Sequence, residues 1–214
     1  MTEQQPIDPP PSTVPRAKRM STRRRVLIIA LSAAVAVGTA IGTTAILHAI
    51  NDRPADVAKP PPGDLPTEGE TLLWNFPEHR FAVAFPSEPD RQSTTQQVRE
   101  FSVPITAYSV NSGSDQFVVS AAEMPATVLE QQDLDTFLTN SLAGAASGVG
   151  AELTEQSFTT LGGERAIAGM FDVQNSTAYV TITVREGMQF SVMVLTDDST
   201  TAEDFVSSFA FLTF

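Results

Sequence analysis

The hydrophobic residues of this chain follow two patterns: one long continuous run and, after it, many short alternations with polar residues. The run extends from Val26 to Ile50 and contains no Asp, Glu, Lys or Arg. A helix of about 25 residues, rising roughly 1.5 Å per residue, is long enough to cross a hydrocarbon core of about 30 Å. The run therefore predicts one transmembrane helix over residues 26–50.

Basic residues are concentrated on the N-terminal side of this run. The preceding tail carries six Lys and Arg residues against Glu3 and Asp8, and Arg23, Arg24 and Arg25 come directly before the apolar stretch. Positively charged flanks of a transmembrane helix stay in the cytoplasm. We therefore expect a single-pass protein of the cell membrane, with its N-terminus cytoplasmic and its C-terminal part extracytoplasmic.

Three interpretations of the apolar run remain open. The run is longer than the roughly 7–15 residues of a cleavable signal core, which favours a permanent signal anchor. Small residues near Ala40 and Ala45 are compatible with the cleavage site of a secretory signal. The arginine-rich stretch from Thr22 to Leu27 also resembles a twin-arginine export signal.

Small residues recur every four positions within the run, at Ala34, Gly38 and Gly42. On a helix they share one face, where the backbones of two helices can approach closely. This spacing is compatible with a homodimer through the transmembrane helix. It also arises by chance in helices rich in Ala and Gly.

The remaining polar and apolar patterns divide the chain into further segments. Residues 1–25 have no apolar periodicity, and we expect a disordered cytoplasmic tail. Residues 51–71 are rich in proline and predict an extended, semi-rigid linker. Residues 72–214 show regular short alternations, and their length suits one extracytoplasmic domain with its own core.

Apolar–polar alternation within this domain predicts antiparallel strands. Pro104 is expected to separate one pair of neighbouring strands. Glu186-Gly187 predicts the turn of a hairpin in which Val180, Ile182 and Val184 face the same side as Phe190, Val192 and Val194. The predicted strands cover residues 79–85, 96–102, 105–110, 116–124, 153–160, 165–173, 178–185 and 188–195.

Two stretches of the domain have helical periodicity. The first is predicted over Asp133 to Ala146, with Asp133 as its N-cap. The second is predicted to begin at Thr200, which would form a capping box with Glu203. The fold class is therefore α+β, an antiparallel sheet of about 6–8 strands with two helices packed on it.

Charge and composition exclude several functions. The net charge is −12, and from Glu68 onward about 20 acidic residues stand against five arginines and no lysine. Such a surface repels phosphate backbones, so we expect no nucleic-acid partner. The chain has no cysteine, which excludes disulfides and a lipid anchor at a cysteine.

The domain offers few residues for catalysis or ligand binding. Its single histidine, His79, is expected to be a solvated strand-edge residue, and no G-x-S-x-G motif accompanies it. Trp74 is expected to pack in the core rather than to stack on a ligand. One histidine cannot supply a structural zinc site, and the acidic clusters at 130–135 and 197–204 are typical of helix N-termini. We therefore expect no catalytic, metal or cofactor-binding residues, no cofactor and no enzymatic activity.

Several stretches of the domain resemble a known family. FAVAFPSEP, AAEMP, LGGERAIAGMF, YVTITVREGMQFSVMVL and DFVSSFAFL resemble the PsbP-like domain of bacterial exported proteins, including the LpqN-type lipoproteins of actinobacteria. The resemblance implies an α/β/α sandwich, a central antiparallel sheet with helices on its two faces. It also implies a binding or accessory role, with no shared catalytic set. This chain differs in having no lipobox cysteine.

Three hypotheses about function follow. The first is a membrane-anchored extracytoplasmic interaction or accessory module of the cell envelope, whose partner is another envelope protein. The second is a domain that binds a small molecule or lipid in an apolar cleft between sheet and helix. The third is a hydrolase built on two carboxylates that converge in a pocket.

Overall fold

The computed structural model describes residues 71–98, 100–173 and 176–213. The predicted tail, transmembrane helix and nearly all of the linker lie outside the described residues, as do Ala34, Gly38 and Gly42. Their structure and the proposed helix–helix contact stay predictions. None of the helices in the described ranges combines the length and the hydropathy needed to cross a bilayer.

The described residues form ten strands and three helices. Their bounds are β1 Leu72–Phe76, β2 Phe81–Phe85, β3 Asp90–Val98, β4 Phe101–Ser112, β5 Asp115–Glu123, α1 Ala126–Glu130, α2 Leu134–Gly148, β6 Leu153–Leu161, β7 Glu164–Val173, β8 Ser176–Arg185, β9 Met188–Thr196, α3 Ser199–Ser207 and β10 Ala210–Phe211.

The strands form two antiparallel sheets. A large sheet has the strand order β3-β4-β5-β9-β8-β7-β6, and a small sheet has the order β1-β2-β10. The prediction of an α+β fold with an antiparallel sheet of six to eight strands is confirmed by the large sheet. The strand at Phe81–Phe85, however, belongs to the small sheet, and a short additional helix, α1, precedes α2.

Both faces of the central strands of the large sheet are covered, so the domain has two cores. On one face α2 packs Phe137, Leu138 and Leu142 against strand residues such as Ile105 and Ile167. On the opposite face the small sheet and α3 form an aromatic core, which includes Trp74, Phe81, Phe85, Phe117, Phe190, Phe205 and Phe209. Trp74 is 7% exposed, which confirms its predicted place in the core.

The β8–β9 hairpin forms at the predicted turn, but the predicted facing of its side chains is wrong. Glu186 and Gly187 have φ of 51° and 80°, as a two-residue turn with both residues left-handed requires. The resulting register pairs Thr183 with Phe190 and Thr181 with Val192. Val180 and Ile182 therefore lie in the α2 core, whereas Phe190, Val192 and Val194 lie in the aromatic core. Both alternating sets are apolar because both faces are covered.

Pro104 lies inside β4 rather than between two strands. It pairs with Thr95 of β3, whereas the pairing of β4 with β5 begins only at Ile105. A proline has no N–H to donate and is tolerated where a strand pairs on one side only. β4 therefore continues through the proline and contains the predicted strand 105–110, whereas the predicted strand 96–102 spans the end of β3 and the start of β4.

One of the two predicted helix N-caps is confirmed, and the other is wrong. Asp133 caps α2, and its carboxylate accepts from the Thr136 N–H at 2.9 Å, as predicted. The predicted capping box at Thr200 is wrong, because α3 begins at Ser199 and is capped by Asp198. The Asp198 carboxylate accepts from the Thr200 N–H at 3.0 Å, which places this acid at the dipole's positive end.

Candidate functional site

The aromatic core covers only a portion of its face of the large sheet. The small sheet lies over β4, β5 and β9, and next to α3 the face formed by β6 and by parts of β7 and β8 is left partly open. Residues 154–160 of β6 are all exposed. A groove of about 670 Å³ lies between these three strands and α3. We call it the β6–α3 groove; its lining includes Glu155, Ser157, Thr159, Ala168, Met170, Thr181, Ala202, Glu203 and Val206.

Strand pairing explains which side chains form the floor of the β6–α3 groove. Ser157 pairs with Ala168, which pairs with Thr181, so the three side chains form one row across β6, β7 and β8. Successive side chains of a strand alternate between its faces, so Thr159 and Glu155 lie on the same side as Ser157. The floor is therefore a mixture of hydroxyl and small apolar groups, open at β6 and buried at Thr181.

Helix α3 forms the wall of the groove. Ala202 and Val206 are one turn apart and present an apolar surface, and Glu203 adds a carboxylate. Glu155 and Glu203 are both exposed, and no Lys, Arg or His is among the residues that line the groove. The groove can accept neutral or cationic groups and repels anions.

The β6–β7 turn closes one end of the groove. Gly162 has a φ of 58°, and a Cβ at this position would lie 2.7 Å from Cδ2 of Phe211. Phe211 itself packs at 90° against Phe209, which also lines the groove. Only glycine fits at this turn, which ties the end of β6 to the segment that follows α3.

A second polar cluster lies at the other end of the small sheet. The Tyr108 hydroxyl donates to Glu78 Oε1 at 2.8 Å, and Arg91 Nη1 lies 3.6 Å from the same oxygen. Burial, reinforced by the Glu78 carboxylate, raises the pKa of Tyr108. For Glu78 the desolvation by burial is outweighed by its backbone N–H, by Tyr108 and by Arg91, and its pKa is lowered. These contacts fix the β1–β2 turn on β4.

His79 is not the solvated strand-edge residue that we expected. It lies in the turn between β1 and β2, half-buried, with its ring centroid 6.0 Å from that of Tyr108. Burial lowers its pKa, although the Glu78 carboxylate opposes the shift. An alternating sequence pattern cannot distinguish the later residues of a turn from the first residues of a strand, so this position was misplaced.

The acidic clusters of the sequence have structural roles at helix starts and in an ion pair. Asp133 and Asp198 are N-caps, as the interpretation of these clusters predicted. Asp135 binds Arg165 through two hydrogen bonds of 2.9 and 2.8 Å. Across the described ranges, no three His, Cys, Asp or Glu side chains are grouped in a way that could hold a metal ion.

The sequence pattern predicts β6 but not which way its faces point, so it does not predict the position of the β6–α3 groove. One signal was present: LTEQSFTTL has polar side chains at every position that faces the groove except its last residue, Leu161. A strand whose inner face carries Glu, Ser and Thr is not covered by a core. Which element lies beside that face, however, depends on where α3 docks.

Comparisons with known proteins return one kind of similarity. No family model and no curated protein matches the chain. The solution structure of cyanobacterial PsbP (CyanoP) from Synechocystis sp. PCC 6803 is similar, with 11% identity and a TM-score of 0.48. The match covers 70% of this chain and 98% of that chain. The cyanobacterial structure belongs to the PsbP family that the sequence resemblance named. The LpqN-type relationship stays a prediction.

Proposed function

We propose that this chain is a non-catalytic interaction module of the cell envelope, anchored in the membrane, and that it binds its partner at the β6–α3 groove. The supporting observation is the partly open face formed by β6 and by the adjoining parts of β7 and β8. The central strands of the sheet are packed on both faces, whereas residues 154–160 are exposed. The polar, open state of that face suits a binding surface.

Anchoring is supported by the sequence outside the described residues. The run 26–50 is long enough to span a bilayer, and the basic tail before it orients the domain outward. The proline-rich linker would hold the groove away from the membrane surface. A partner in this location is another envelope protein.

The alternative function is binding of a small molecule in the same groove. Its volume of about 670 Å³ is within the range of roughly 300–1,000 Å³ that small-molecule sites occupy. The expected apolar cleft between sheet and helix is here a groove of mixed character, with hydroxyls and two carboxylates. A ligand with polar or cationic groups suits it better than a wholly apolar lipid.

The environment of the groove carboxylates does not favour catalysis. A hydrolase built on Glu155 and Glu203 needs at least one of the two carboxyl groups shielded from solvent, so that the pair can divide the roles of acid and base. Both side chains are exposed. The groove therefore suits recognition, not acid–base chemistry.

The topology can be tested cleanly because the chain has no cysteine. We expect Ser157→Cys in the full chain to react with a membrane-impermeant maleimide in intact cells. The control Ser12→Cys, in the basic tail, should react only after lysis. The reverse pattern, or release of Ser157→Cys into the medium, would contradict the anchored topology.

Site-specific photo-cross-linking tests the groove as the binding surface. A photoreactive amino acid replaces Thr159 in the groove or, as a control, Thr94 on the opposite edge strand; both positions are exposed. We expect intact cells to yield a defined protein adduct from position 159 and none from position 94. Equal adducts from the two positions, or none from position 159, would refute the proposal.

A further inference from the structure

The outer edge of β6 carries backbone groups that no other strand in the described ranges pairs with. β6 is the terminal strand of the large sheet. Leu161 and Glu164 flank the two-residue turn Gly162-Gly163, whose φ values are 58° and 89°. In a hairpin of this type the flanking pair exchanges hydrogen bonds, and bonded and outward-facing residues then alternate along the strand.

This alternation identifies the outward-facing residues. Like those of Leu161, the backbone N–H and C=O groups of Thr159, Ser157 and Glu155 form hydrogen bonds with β7. Gln156, Phe158 and Thr160 therefore direct their N–H and C=O groups away from the sheet. Such a row is a template for an additional strand.

Over residues 156–160 the β6 edge lacks the usual protection against added strands. Natural edges carry Lys, Pro, inward charges or bulges. Residues 156–160 contain no charged residue and no proline, and the one register shift lies at Leu153/Glu155, near the start of the strand. Residues 154–160 are exposed on both faces of the strand, although Arg165 stacks over the Phe158 ring at 4.4 Å on the face away from the groove.

Charge indicates what kind of segment would fit. A strand added to β6 would place every second side chain beside the β6–α3 groove, about 6.6 Å apart. The groove has carboxylates at Glu155 and Glu203 and no basic residue in its lining. The acidic surface of the whole domain adds a field of the same sign. The groove carboxylates and the negative charge of the domain both favour basic side chains at every second position of the added strand.

We propose that the partner binds as an extended basic segment that adds to β6 as an eighth strand, with alternate Lys or Arg side chains over the β6–α3 groove. This inference rests on the proposed function, in which that groove is the binding surface. Main-chain hydrogen bonds to the edge supply affinity, and the alternate side chains supply specificity.

A pair of synthetic peptides of equal composition tests the geometry. One alternates Lys and Thr, and the other has all its Lys residues grouped at one end. Binding of each labelled peptide to the full-length protein is measured by fluorescence anisotropy at several salt concentrations. We expect the alternating peptide to bind more tightly, and its affinity to fall as salt rises. Equal affinities would overturn the inference, because charge alone would then explain binding.

Two matched proline variants test the edge. Gln156→Pro removes an outward-facing N–H without touching the β6–β7 pairing, and should weaken the alternating peptide about tenfold. Thr95→Pro makes the same change on β3, at a residue paired with a proline that has no N–H to donate, and should leave affinity unchanged. Thermal unfolding of each variant checks that it folds. Glu203→Lys, on a helix surface, tests the charge independently and should also weaken binding.

Failure of this inference can be separated from failure of the proposed function. If Gln156→Pro binds the peptide like the unchanged protein, strand addition is overturned, while a specific adduct from position 159 still supports the groove. If the protein is a dimer that Gln156→Pro dissociates, a second copy occupies the edge, and the inference is overturned as well.

Discussion

Gly169 of β7 packs directly beneath helix α2. A Cβ at this position would lie 2.6 Å from Cδ2 of Leu142 and 3.0 Å from Cδ1 of Leu153. Leu142 is fully buried, so it cannot move without disturbing the α2 core. We expect Gly169→Ala to lower the free energy of unfolding by about 1–3 kcal/mol, measured by urea denaturation.

The double variant Gly169→Ala/Leu142→Val checks the cause of this loss. If overpacking is responsible, the smaller Val relieves the clash, and the double variant loses less stability than the two single variants together. Simple additivity would contradict the explanation.

Tyr108 is expected to make the free energy of unfolding of the domain fall at alkaline pH. The side chain is 1% exposed, and burial raises the pKa of its hydroxyl. Above about pH 10 an unfolded tyrosine loses its proton, whereas the folded one keeps it. The stability provided by this group is therefore complete below pH 10 and is lost as pH rises beyond it.

Comparison with Tyr108→Phe measures this effect. We expect the free energy of unfolding of the unchanged protein to fall more steeply between about pH 9 and 11 than that of the variant, which has no proton to lose. Parallel pH profiles would show that Tyr108 does not cause the dependence.

At the scale of elements, helix α3 depends on its N-cap. The Asp198 carboxylate accepts from the Thr200 N–H and from the Thr201 hydroxyl, at 3.0 and 2.9 Å. Asp198→Ala should lower stability by about 1 kcal/mol, and Asp198→Asn by less, because asparagine is also a good cap. Chemical denaturation of both variants provides the measurement. A larger loss for Glu203→Ala than for Asp198→Ala would instead favour the capping box that the sequence predicted.

Elements that depend on nearby residues were predictable. The cap at Asp133 and the turn at Glu186-Gly187 each need only residues within a few positions. The start of α3 was displaced because an aspartate two positions before Thr200 competes for the same N–H groups. The prediction at Pro104 was wrong for a related reason. A proline interrupts a strand only where a second strand pairs with it, and the local sequence does not show where the pairing of β4 with β5 begins.

At the scale of the whole molecule, like charges repel one another. From Glu68 onward about 20 acidic residues stand against five arginines. Raising the salt concentration from about 0.01 to 0.15 M shortens the Debye length from roughly 30 to 8 Å. We expect the melting temperature to rise with salt, as followed by circular dichroism, because screening weakens this repulsion in the compact state.

A charge-reduced variant provides the control for the salt effect. Glu88, Glu123 and Glu130 are exposed, and their replacement by Gln removes charge without removing packing. The variant should respond less to salt. A melting temperature that falls with salt would mean that ion pairs such as Arg165–Asp135 outweigh the general repulsion.

The sequence by itself determined the kind and approximate position of most strands, the helix α2 with its cap, the turn of the last hairpin and the excess of negative charge. Each depends on residues close together in the chain. Only the tertiary structure decided that β1, β2 and β10 form a separate sheet, which alternate residues of β8 and β9 share a core, and that β6 borders an open groove. These features depend on contacts such as Phe81 with Phe209, whose ring centroids are 5.3 Å apart. Local periodicity shows that a strand has an apolar face, but the partner of that face is set by packing between distant segments.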